Sequence, residues 1–158
     1  MRLPLLALIA ALPLAAQNVD WKPLEFLLGK WTGVADAKHT EVGPGTGACS
    51  FELDLNKNVI IRKSTASYDS GVKHDDLMVI YYEGAMRAIY FDSEGHVIRY
   101  NVTSPATNRV VFLSEPSQPG PKYRLTYWTE GALVHVDFEI AAKGDEYKMY
   151  AGGLLKRE

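Results

Sequence analysis

The 158-residue sequence contains a single cysteine, Cys49. No internal disulfide can form, so stability has to come from a packed core alone. An excess of charge of one sign is missing too. Lys and Arg number 17 and Asp and Glu 19, a formal net charge of −2. So weak and mixed a balance gives no electrostatic reason to expect nucleic acid or an anionic membrane surface as a partner. After Leu14 no apolar run reaches the about 20 residues that a membrane-spanning helix needs. After Leu28 no stretch keeps helical periodicity long enough for an α-helix of ordinary length. There is no Gly-x-Ser-x-Gly elbow to carry a hydrolase nucleophile. Internal repeats, linkers and low-complexity segments are absent as well.

What is present begins with Arg2, an apolar run from Leu3 to Leu14 and the small pair Ala15-Ala16. This reads as a secretory signal peptide over 1–16, with a single domain over 17–158. The expected location is therefore the periplasm or the exterior of the cell. Removing Arg2 leaves 16 basic against 19 acidic side chains, a formal charge of −3.

From Lys30 onward, short alternating runs are broken by turn residues. In "GACSFELDL", Cys49, Phe51, Leu53 and Leu55 point one way and Ser50, Glu52 and Asp54 the other, the period-two pattern of a strand with one buried face. Turn signals follow at Asn56-Lys57-Asn58, Glu83-Gly84, Ser93-Glu94-Gly95, Gly131 and Lys143-Gly144-Asp145. About ten strands with hairpin-length connections result, too closely spaced for parallel crossovers. The expected fold is all-β: an antiparallel up-and-down barrel of about 8–10 strands. "PLEFLLG", with Pro23 in the first turn and Gly29 at the end, predicts a short helix that caps one barrel opening.

The Gly29-Lys30-Trp31 triplet, between that helix and the first strand, resembles the Gly-x-Trp start of lipocalins and other calycins. "LEFLLGKWTG" also resembles the opening of the ten-stranded, nitrobindin-like haem-binding barrels. "FDSEGHVIRY" with "RLTYW" resembles a group of exported bacterial lipocalin-like proteins. The resemblance implies that Trp31 sits at the closed end under a basic side chain from the last strand, with Lys156 and Arg157 as candidates. It also raises haem, which nitrobindin-like barrels hold by a histidine near the C-terminus. The terminal strand here offers Tyr147, Met149 and Tyr150 but no histidine, so no cofactor is expected.

Two other clusters bear on metal chemistry. "KHDD", Lys73 to Asp76, reads as a polar turn between strands. His135, Asp137 and Glu139 share one strand face, but the opposite face, Val134, Val136, Phe138 and Ile140, is wholly apolar and should take the interior. No catalytic residue and no metal site is assigned.

The interior then supplies the functional reading. Alternation turns Phe51, Tyr81, Tyr100, Tyr127 and Phe138 inward, with Leu53, Leu77 and Val79 on the same faces. Arg62 turns inward if Ile60 does, and outward if Ile61 does. These six residues, Phe51, Arg62, Tyr81, Tyr100, Tyr127 and Phe138, are the candidate ligand-binding set, and Trp31 with Arg157 the candidate barrel floor. An aromatic lining with polar tips suits a small hydrophobic or amphipathic molecule, with Arg62 as an anchor for an anionic end. The alternatives are a haem-binding or enzymatic barrel, and a packed barrel that serves as a protein-interaction module.

Overall fold

The computed structural model describes residues 19–35 and 41–158. The segment read as a signal peptide, and His39, lie outside the described residues. Ten strands form one closed antiparallel barrel: β1 (Gly29–Ala35), β2 (Gly45–Asp54), β3 (Val59–Tyr68), β4 (Lys73–Tyr82), β5 (Met86–Asp92), β6 (Val97–Ala106), β7 (Arg109–Ser114), β8 (Lys122–Glu130), β9 (Leu133–Ala141) and β10 (Lys148–Arg157). Each strand pairs with the next, and β1 closes the barrel against β10. Among the described residues no helix is long and apolar enough to cross a membrane.

A six-residue 3₁₀ helix, Lys22–Leu27, precedes β1, with proline in its first turn. Its Leu24 and Leu27 are fully buried in the same apolar cluster as Trp31, Phe51 and Val110, and the helix lies against β7. The indole N–H of Trp21 donates to the carbonyl of Lys57 in the β2–β3 turn. The helix thereby closes the barrel end at which β1 starts. Gly29 then turns the chain into β1 with φ +122°, a backbone that residues with a Cβ rarely adopt.

Trp31 sits at this closed end, 4% exposed. Its indole N–H donates to the Leu27 carbonyl at 2.8 Å, and the Arg157 guanidinium lies 5.0 Å from its ring centroid. Arg157 also donates to the Leu28 carbonyl. Lys156, the other basic residue near the end of β10, is exposed.

The lower half of the barrel is solid. Ile60, Met78, Ile80, Ala88, Val110 and Val134 are all buried there. Four rings run edge-to-face through the interior: Phe51 to Tyr127 at 5.5 Å, Tyr127 to Phe112 at 6.1 Å and Phe112 to Tyr100 at 6.0 Å. This geometry lets the positive edge of one ring meet the negative face of the next.

Strand β4 departs from the alternation reading. Met78 and Ile80 are fully buried, while Leu77, Val79 and Tyr81, expected inside, stand on the outer face and are only half-buried. Both faces of this strand are apolar, so alternation alone could not choose between them. The chain from Lys73 to Asp76 is also strand rather than turn, paired with Ser64 to Ser67 of β3. Leu53, expected inside next to Phe51, is 37% exposed beside the β2–β3 turn.

Candidate functional site

Above the aromatic row the barrel is open. A cavity of about 380 Å³ fills its upper half. Its volume originates in what the strands omit. The inner faces of β1, β2 and β10 carry Gly33, Gly45, Gly47 and Gly153 along this cavity. Those strands approach their neighbours so closely that a Cβ on Gly47 would stand 2.5 Å from the Thr65 carbonyl oxygen. One on Gly153 would stand 2.5 Å from that of Val34. Glycine is thus required twice over, for the backbone approach and for the space.

The second wall is apolar and aromatic: Tyr123, Leu125, Tyr127, Val136 and Phe138. The third, from β3 to β6, is polar. Ile60 is fully buried, so Arg62, two residues on, faces inward and is 8% exposed. Its Nη1 donates to Asp76 Oδ1, and its guanidinium carbon lies 6.0 Å from the ring centroids of both Phe51 and Tyr127. Burial works most strongly against the Arg62 charge, but Asp76 together with Tyr127, Cys49 and Tyr90 outweighs it, so the guanidinium stays charged. Burial also pushes the Asp76 carboxyl up, against the pull of Arg62 and His74.

Three buried polar atoms in this interior have no hydrogen-bond partner among the described residues: Arg62 Nε, Tyr100 Oη and Tyr127 Oη. Burial pushes both phenols far above their ordinary range, so they keep their protons. Cys49 lines the same space, and burial pushes its thiol up as well.

The mouth of the cavity is a ring of titratable groups. His74 Nε2 lies 2.9 Å from Tyr90 Oη and 3.7 Å from Asp76 Oδ2. His74 Nδ1 lies 3.1 Å from Glu94 Oε1. His96 Nδ1 lies 2.9 Å from Asp92 Oδ2. Asp92 Oδ1 also accepts from the backbone N–H groups of Glu94 and His96, fixing the β5–β6 turn. Burial works against the Asp92 charge, but the His96 and Glu94 donors hold its carboxyl below the usual range. Glu94 and His96 are 51% and 57% exposed, so the cavity reaches solvent here.

Of the residues singled out from the sequence, Arg62, Tyr100, Tyr127 and Phe138 line the cavity. Phe51 lies beneath it, against Tyr127. Tyr81 is on the outer wall and takes no part. His135 stacks on Trp128 at 4.8 Å and pairs with Glu130, away from the cavity. The sequence reading missed His74, Asp76, Tyr90, Asp92, Glu94 and His96 as a group. Their signal was present as His74-x-Asp76-x-Met78-x-Ile80, one face of a strand that starts at Lys73.

The fold is similar to that in the crystal structure of Rv2717c from M. tuberculosis, with a TM-score of 0.62 and 12% sequence identity, covering 87% of this chain and 96% of that one. At that identity the likeness shows the fold alone. No family model and no curated protein matches the sequence.

Proposed function

We propose that this chain is an exported, lipocalin-like carrier that binds a small amphipathic molecule in its barrel without transforming it. The carrying observation is the set Arg62 Nε, Tyr100 Oη and Tyr127 Oη, three buried donors in the barrel interior without an acceptor among the described residues. A buried donor without a partner costs about 1–3 kcal/mol, which a bound acceptor relieves. The glycine wall and the Val136–Phe138 side give the rest of the molecule an apolar lining. The volume falls within the roughly 300–1,000 Å³ of small-molecule sites. The apolar segment before Gln17 supports export.

Arg62 sharpens the ligand class. Its charge is already met by Asp76. A second carboxylate would add repulsion to the buried pair, whereas a carbonyl or ether oxygen satisfies the free donors without charge. The ligand's polar end is therefore a neutral acceptor, not the anion that the sequence suggested. Displacement of a fluorescent apolar probe by a long-chain acid, its methyl ester and its amide tests both parts. Ester and amide should displace the probe at lower concentration than the acid, and Tyr100→Phe/Tyr127→Phe should narrow the difference. Preference for the acid would restore Arg62 as an anion clamp. Failure of every apolar probe to bind would overturn the carrier reading.

A further inference from the structure

The ring at the cavity mouth has a composition that carrier chemistry does not use. Ligand atoms of His74, Asp92 and Glu94 lie within 4.8 Å of one another. They come from β4 and the β5–β6 turn, so the barrel wall and the turn together set their spacing. We propose that His74, Asp92 and Glu94 form a binding site for one divalent first-row cation of the zinc class at the open end of the barrel.

Three observations support it. The first is orientation. His74 Nδ1 and Glu94 Oε1 stand 3.1 Å apart, close to the about 3.3 Å between tetrahedral neighbours that each lie about 2.0 Å from one ion. The second is the far side of the imidazole. His74 Nε2 is held by Tyr90 Oη at 2.9 Å, with Asp76 Oδ2 behind it at 3.7 Å. Metal-bound histidines characteristically have their other ring nitrogen held in this way, and with Nε2 donating to Tyr90 Oη the Nδ1 lone pair is left to ligate. The third is charge. Asp76, Asp92 and Glu94 place three carboxylates along this cavity against the single guanidinium of Arg62. Between these carboxylates and the guanidinium the excess is two negative charges, which one divalent ion cancels. Asp92 is turned inward with its side chain only 4% exposed. A mixed imidazole and carboxylate set suits zinc, iron(II) or manganese(II) and disfavours copper(I). Three protein ligands leave further coordination positions to solvent or to a molecule in the cavity.

The site is independent of the carrier reading and is tested without a cavity ligand. Metal-stripped full-length protein is titrated calorimetrically with zinc chloride, and separately with Co2+ while its visible absorption is followed. The expected result is one ion per chain, with d–d bands and a rise in melting temperature. Glu94→Gln, at a half-exposed turn position, should bind at least tenfold more weakly and lose the bands. Asp92→Asn keeps an oxygen for the turn and should do the same. Tyr90→Phe should weaken binding about tenfold through the imidazole it orients. His135→Ala, away from the cavity, should bind like the parent. Absence of saturable heat would overturn the site. So would parent-like binding by folded Glu94→Gln and Asp92→Asn, or loss of binding in His135→Ala.

Discussion

Trp31 is under three separate restraints. Its ring is buried, its N–H is bonded to Leu27 and its face is covered by Arg157. Removing the indole takes away apolar contact and leaves a void between the capping helix and the barrel. Trp31→Ala should cost about 3–5 kcal/mol, read from the urea midpoint at constant slope. A loss below about 1 kcal/mol would mean that the closed end collapses onto the space without difficulty. Arg62 shows the other use of a buried side chain. It spends one nitrogen on Asp76, packs against two rings and leaves its buried Nε without a partner among the described residues.

At the scale of elements, the strands differ in how much they disclose. β9 alternates between Val134, Val136 and Phe138 on one face and His135, Asp137 and Glu139 on the other, so its orientation was legible. β4 carries apolar side chains on both faces, and only the buried Ile80 and Met78 show which is inner. The mouth was illegible for a different reason. His74 belongs to β4, Tyr90 and Asp92 to β5, and Glu94 and His96 to the turn that follows. Local periodicity carries no information about cross-strand register, and register is what brings Asp76 opposite Asp92. The glycines of β2 and β10 fell within the expected strand runs with no role attached, whereas they are tight-approach positions. Gly153→Val should therefore destabilise the barrel by about 1–3 kcal/mol or more and reduce binding of any apolar probe. Parent stability and undiminished probe binding in the Gly153→Val protein would show that β1 and β10 separate freely.

For the whole molecule, the division between a solid lower half and an open upper half matters most. The capping helix, Trp31 and the aromatic row make a base on which the cavity wall need not be fully packed. The polar side chains at the mouth remain near water, and the unpartnered donors sit deeper. Binding and stability are thus drawn from different parts of one interior. Changes at Glu94 or His96 should leave the urea midpoint nearly unmoved, unlike those at Trp31.

The closing pair also governs time. Leu28 and Arg157, bonded across the closed end, are 129 residues apart in the chain. Every other strand pair is a hairpin between neighbours. Hairpins can form early because their loops are short, but β1 and β10 meet only after the eight strands between them are arranged. The last event of folding is therefore the sealing of the seam, and until then two edge strands stand unpaired and ready to join other chains. Trp31 lies on that seam, opposite Arg157. In a Trp21→Phe/Trp128→Phe background its fluorescence should change in the slowest refolding phase, and aggregation should compete during that interval. A Trp31 signal complete before the far-ultraviolet dichroism would place closure first and reverse the order.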